Sequence, residues 1–247
     1  MPELSVIIIT KNEAQNIRAC LESVAWADEI IVVDSDSADD TVSIAREFTN
    51  RVYAHDWPGF GAQKNRALSY ATNEWIFSID ADERVTPELR AEMEAVIANP
   101  QADAYEMPRL TSFCGRFMRH SGWYPDYVLR LFRREKGCFS DALVHESVQM
   151  LGSKSRLQQH LLHYSYRDFE DVISKLNSYS SAAATMLQRR GKKGGLAQAI
   201  SHGLWSFIRT YFLRAGFLDG REGFMLAVMN AENSYYRYIK LWCKQKP

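Results

Sequence analysis

Three short apolar runs that each end in carboxylates constrain this chain most: Leu4 to Ile9, Glu29 to Val33 and Trp75 to Ile79. Dense β-branched and aromatic side chains suit strands covered on both faces. The first run passes through Thr10-Lys11-Asn12-Glu13 into Ile17, Leu21 and Val24 at helical spacing. The second passes through Asp34-Ser35-Asp36-Ser37 into Thr41, Val42, Ile44, Ala45 and Phe48. Two strand-helix units within fifty residues require a parallel sheet with right-handed crossovers, hence an α/β fold. At 247 residues and 46% hydrophobic, the chain is long enough to bury a substantial core.

The third run closes on Asp80-Ala81-Asp82-Glu83. Open α/β sheets bind ligands at the carboxyl ends of their strands, so these acids stand where a site is expected. Clustered carboxylates repel one another and favour a cation. Hard oxygen ligands at this spacing suit Mg²⁺ or Mn²⁺ bridging to a diphosphate. The competing reading is a solvated acidic turn before a helix that starts at Thr86-Pro87-Glu88, with Thr86 as cap and Pro87 in the first turn. Between the second and third runs, a short strand around Val52 and Tyr53 leads through His55-Asp56-Trp57-Pro58-Gly59-Phe60-Gly61 into a helix from Ala62 to Ala71. That helix carries Gln63, Lys64, Asn65 and Arg66 near its start. The helix start and Lys64 offer donors to phosphate or hydroxyl. Pro87 to Ala98 reads as an amphipathic helix and Ala104 to Arg109 as a strand. There is no GxGxxG and no GxxxxGK[ST], so neither a dinucleotide fingerprint nor a P-loop is supported.

The formal net charge is zero, yet residues 1–164 carry 17 Lys and Arg against 24 Asp and Glu, and residues 165–247 carry 13 against 6. An acidic first part that binds a nucleotide needs a metal to offset phosphate repulsion, and a basic, aromatic tail suits an anionic surface. Mutual attraction of the two halves is the simpler alternative. Cys20, Cys114, Cys138 and Cys243 have neither CxxC spacing nor a dense framework, which fits free thiols in the cytoplasm. MPELSVIII lacks the charged and long apolar regions of a signal peptide. The stretch from Leu204 to Leu218 contains Arg209 and Arg214 and falls short of a membrane span.

VIIITKNEAQNI, EIIVVDSDSADDT, GFGAQKNRAL and WIFSIDADER, in that order and at that spacing, resemble the family 2 glycosyltransferases of the GT-A fold. GWYPDYVLRLFRR, LVHESV and RAGFLDGREGFMLA extend the similarity, nearly over the whole chain, to the lipopolysaccharide-core glucosyltransferases of that family. The resemblance implies a Rossmann-like, nucleotide-sugar-binding GT-A sheet over residues 1–164 and a helical C-terminal extension over residues 165–247. It implies transfer of a sugar, glucose from UDP-glucose, with inversion, onto a lipid-linked oligosaccharide acceptor at the inner face of the inner membrane. Nothing in the pattern calls for nucleic acid as a partner.

By motif position, Thr10, Glu13 and Asp34 are expected to meet the base and ribose, and Lys64 and Asn65 the ribose or donor sugar. Asp80 is expected to reach the ribose or the metal, and Asp82 to ligate the metal directly. Within Val144-His145-Glu146-Ser147, Glu146 takes the position of the general base, with His145 where the family usually has another acid. Asp141 is the alternative base, and an ion pair with Arg130, Arg133 or Arg134 is the alternative use of Glu146. His163, after Leu161-Leu162, matches the further metal or phosphate ligand that GT-A enzymes often supply, against the ordinary structural histidine. Trp123, Tyr124 and Tyr127 fall where acceptor loops lie, or in the core.

In the tail, Phe169, Val172, Ile173, Leu176, Tyr179, Ala183 and Met186 form a helical apolar face that breaks at Arg189 to Gly195. Two further helical patterns run from Leu204 to Phe212 and from Phe224 to Trp242. With Trp205, Trp242 and many basic residues they suit peripheral contact with an anionic membrane; a packed helical subdomain is the alternative. Two other functions compete with sugar transfer. A nucleotidyltransferase normally opens with a glycine-rich, arginine-bearing loop where Thr10-Lys11-Asn12-Glu13 stands, and a non-catalytic scaffold has no use for the DxD and Glu146.

Overall fold

In the computed structural model, which describes residues 3–140, 147–166 and 168–245, the first apolar run is strand β1 (Leu4–Thr10), buried along its whole length. Helix α1 (Ile17–Val24) follows, then β2 (Glu29–Asp34), α2 (Thr41–Ala45), β3 (Val52–Ala54), α3 (Phe60–Tyr70) and β4 (Trp75–Ser78). Next come β5 (Glu83–Arg84), α4 (Pro87–Ala98), β6 (Ala104–Phe113), β7 (Arg116–Phe117), β8 (Asp126–Arg133), β9 (Gly137–Phe139), β10 (Val148–Met150), β11 (Lys154–Arg156) and β12 (Leu161–Tyr166). Helices α5 (Phe169–Arg189), α6 (Leu196–Ile208) and α7 (Gly220–Gln245) complete the order. The chain divides into one unit of Met1–Arg109 with Asp126–His163, and another of Leu110–Pro125 with Tyr164–Pro247.

The main sheet runs β3-β2-β1-β4-β8-β6-β12-β5, with β7 and β11 paired to β6. β1, β2, β3 and β4 are mutually parallel, as the two strand-helix units require. β8 then enters antiparallel between β4 and β6. Period-two alternation divides the core between the faces. Val6 and Ile8 pack with Ile17 and Leu21 of α1 and Leu89 and Met93 of α4. Ile7 and Ile9 pack with Ile31, Val33, Ile76 and Ala67 of α3. At roughly 1.5–3 kcal/mol per fully buried aliphatic side chain, these two layers are the main source of stability in the first unit.

Local chemistry explains the element ends. Thr86 Oγ1 accepts from Leu89 N at 3.1 Å with Pro87 opening α4, the expected cap. Helix α2 is shorter than its apolar pattern, because the chain turns after Ala45 and Thr49 Oγ1 donates to Ile30 O at 2.8 Å, leading straight into β3. Phe48 still packs against the core from that turn.

In the second unit α5 is capped by Asp168, whose side chain accepts from Asp171 N. α6 and α7 approach closely at Gly203, where an added Cβ would lie 3.3 Å from Ala231 O. α5 and α7 are joined by Lys240 Nζ donating to Asn177 Oδ1 at 2.7 Å and Ser180 Oγ at 2.8 Å. Phe113, Met118, Val172 and Leu226 form a separate small core in which Trp123 also packs, its ring 5.7 Å from that of Phe113. Among the described residues, no helix is long and apolar enough to cross a membrane.

Candidate active site

The parallel register sets Thr10 of β1 directly beside Asp34 of β2. Both are buried, and Thr10 Oγ1 donates to Asp34 Oδ1 at 2.9 Å. Ser37 closes a turn over the same carboxylate, its Oγ donating to Oδ1 at 2.5 Å and its N–H to Oδ2 at 2.8 Å. Glu13 sits at the mouth of the first loop, where its N–H donates to Thr41 Oγ1 at 2.7 Å and its carboxylate accepts from Asn16 Nδ2 at 2.8 Å. The three residues expected at the base and ribose therefore lie at neighbouring strand ends, on a polar, hydrogen-bonded ledge.

The acids after β4 are divided by their partners. Asp80 accepts from Arg130 Nη2 at 2.5 Å and pairs with Lys64 Nζ at 3.0 Å. Burial alone would raise its pKa, but the two cations outweigh that and hold the carboxyl well below the usual carboxylate range. Glu83 is fully buried. Its Oε1 accepts from Arg130 Nη2 at 2.7 Å and Arg109 Nη1 at 3.4 Å, and its Oε2 from Asp80 N at 3.0 Å. Arg109 is held in turn by Asp126 at 2.7 Å. The same two carboxylates drive the Arg130 guanidinium further from deprotonation, against its burial. Asp82 faces the other way, with its Oδ2 3.3 Å from His163 Nε2. β12 brings the histidine there by pairing His163 with Glu83.

Lys64 is buried, as a cation is only when paired. Its neighbour Asn65 is turned toward β9, donating Nδ2–H to Phe139 O and accepting Phe139 N–H at Oδ1, both at 2.8 Å. The structure thus brings Thr10, Glu13 and Asp34 together, joins Lys64 to Asp80, and pairs Asp82 with His163. Asn65 braces a strand. Glu146 and Asp141 lie outside the described residues. The chain on either side is closed by Ser140 N donating to Ser147 O at 3.0 Å. Ser147, Val148 and Phe139 line a cavity of about 430 Å³ together with Lys64, Asp80 and Arg130.

Arg130 is the residue that sequence reading missed as a site member. Its signal was present: a single charge between Leu129 and Leu131 in an apolar strand must find partners if the strand is buried. Arg133 pairs instead with Glu74 and Arg134 donates to Asn73 O. Tyr127 is partly exposed beneath the Arg156 guanidinium, 4.2 Å from the ring centroid.

Asp82 and His163 give a hard oxygen and an imidazole nitrogen, a donor pair that fits Mg²⁺ or Mn²⁺. Among the described residues no group of three His, Cys, Asp or Glu side chains is placed to hold a metal ion. The pair therefore suits a cation whose remaining shell comes from phosphate and water.

A parallel sheet extended by antiparallel strands, with acids at the end of β4, is the GT-A arrangement, and the chain's relatives agree. Residues 5–148 match the model of glycosyl transferase family 2, and the chain belongs to that family: it is a glycosyltransferase. An uncharacterized glycosyltransferase of Rickettsia felis is 33% identical over 98% of this chain and 90% of its own length. The lipopolysaccharide core biosynthesis glycosyltransferase LpsC of Rhizobium meliloti is 29% identical over 95% and 93%. Among solved structures, residues 1–349 of TarS from S. aureus, in complex with UDP-GlcNAc, match with a TM-score of 0.51. That match is at 17% identity and covers 94% of this chain and 91% of that one, a likeness of fold.

Proposed function

We propose that this glycosyltransferase moves glucose from UDP-glucose, with inversion, onto an inner-core sugar of a lipopolysaccharide or lipooligosaccharide acceptor. The pairing of Asp82 with His163 beside a charge-clamped Asp80 carries the reading. It leaves one carboxylate and one imidazole at the carboxyl end of β4 for a divalent cation and commits the other acids to arginine and lysine. When bound, Mg²⁺ or Mn²⁺ supplies charge compensation to the leaving diphosphate. Thr10, Glu13 and Asp34 take the base and ribose on their ledge. Asp80 holds Lys64 toward the donor sugar or ribose, and Asn65 acts by fixing β9. Glu146, one residue from the cavity-lining Ser147, serves as the base that accepts the acceptor hydroxyl's proton, with Asp141 as the other carboxylate within that segment. The similarity to LpsC and the sequence motifs support the acceptor class.

The acceptor's lipid gives the second unit its role at the cytoplasmic face of the inner membrane. Leu204, Trp205, Phe212, Leu213, Phe217 and Leu218 are exposed there among Arg209 and Arg214, a composition suited to an anionic lipid interface. Flotation with anionic vesicles at moderate salt tests this; protein that stays at the bottom with every lipid mixture removes the membrane role.

The decisive experiment titrates wild type and Asp82→Ala with a panel of nucleotide sugars, with and without Mn²⁺, following heat and nucleoside diphosphate release. Metal-dependent binding of UDP-glucose that disappears in the variant is expected. Binding indifferent to both metal and Asp82 would overturn the assignment.

A further inference from the structure

The cavity beside Asp80 carries more positive charge than the donor chemistry uses. Its lining includes four cations, Lys64, Arg109, Arg130 and Lys154, against two carboxylates, Asp80 and Glu106. Most of these are already committed. Lys64 pairs with Asp80, Arg109 gives Nε and Nη2 to Asp126, and Glu106 is taken by Arg156. Two cationic groups keep donors to spare among the described residues. Arg130 spends Nη2 on both Asp80 and Glu83, its Nε is buried without a hydrogen-bond partner, and Nη1 makes no bond to the protein. Lys154, on the exposed strand β11, has no ion-pair partner.

A nearly buried guanidinium with uncommitted N–H groups is costly until an acceptor completes it. The rest of the lining is suited to a sugar ring: Tyr127 offers an aromatic face, and Val128, Leu129 and Val148 are apolar. The residues of the base and ribose ledge, Thr10, Glu13 and Asp34, are not part of this lining, so the cavity belongs to the acceptor half of the site.

We propose that this cavity is an acceptor subsite for a sugar bearing a carboxylate or phosphate, with the anion held by Arg130 and Lys154 and the ring against Tyr127. The proposal rests on the donor placement given above, and the two fail separately. The test is a ligand-detected NMR titration of the full chain with methyl glucuronoside, glucose 6-phosphate and neutral methyl glucoside, at low and high salt, with and without saturating UDP and Mn²⁺. Charge-assisted hydrogen bonds of the usual strength make the charged sugars roughly 10- to 100-fold tighter than the neutral one. The preference should persist with UDP bound, fall with salt, and shrink to about twofold or less in Lys154→Glu, a change on an exposed strand that leaves the buried arginine in place. Whether the carboxylate or the phosphate sugar binds tighter names the source of the anion. Equal binding of charged and neutral sugars by wild type, a preference unchanged in Lys154→Glu, or displacement of the charged sugar by UDP would each overturn the subsite. Binding of UDP in the same samples tests the donor site, and the sugar preference is measured whether or not UDP binds.

Discussion

Replacing Arg130 with methionine keeps much of the side chain's length and apolar stem but removes the charge that Asp80 and Glu83 share. Glu83 is fully buried and would retain only the Asp80 N–H at 3.0 Å and Arg109 at the longer distance of 3.4 Å. Asp80 would keep Lys64 at 3.0 Å. Removing one partner of a buried ion pair costs about 3–5 kcal/mol, because the remaining charge stays desolvated. Against a typical total of about 5–15 kcal/mol, that is a large fraction of the stability of the first unit. The sign of a second substitution isolates the cause. Glu83→Gln added to Arg130→Met removes the stranded charge while its amide oxygen still accepts from Asp80 N. The double variant should therefore regain about 2 kcal/mol or more, rather than lose further. Urea unfolding of wild type, both single variants and the double variant, at constant m, measures the cycle. A loss below about 1 kcal/mol in Arg130→Met, or simple addition of the two losses, would refute the claim that this guanidinium holds the acidic turn.

Three further outcomes follow from the same contacts. Asn65→Ala removes two hydrogen bonds to Phe139 and should cost about 1–3 kcal/mol in thermal or urea unfolding; Asn65→Asp should cost more, since it sets a carboxylate oxygen against the Phe139 carbonyl. Gly223→Ala, normally stabilising within a helix, should lower the melting temperature by several degrees, because its Cβ would stand 1.9 Å from Gly216 O. Burial, with Tyr179 adding to it, pushes the Tyr166 phenol up to about 12. The folded state therefore favours the neutral phenol. That contribution is complete below the unfolded value of about 10 and is lost as pH rises toward 12, so wild type should lose stability relative to Tyr166→Phe across that window in alkaline unfolding curves.

The parallel strands, the Thr86 cap and the tail helices were legible in the chain because each is written in short-range terms: periodicity, β-branching and cap residues within a few positions. Thr10 and Asp34 could be placed together for the same reason, since successive parallel strands carry their last residues to one end of a sheet. The division of labour among the acids was not legible. Asp80, Asp82 and Glu83 are nearly equivalent in sequence, and only the antiparallel entry of β8 between β4 and β6 brings Arg130, fifty residues away, onto Asp80 and Glu83. The pairing of β12 with β5 then sets His163 against Asp82. Asn65 shows the same limit, because its position in a polar helix start suggests a ligand contact while β9 takes both of its hydrogen-bonding groups. Local chemistry determines where strands end and which residue types collect there. Which charge meets which is decided by non-local strand register, a property of the folded sheet that no stretch of sequence contains by itself.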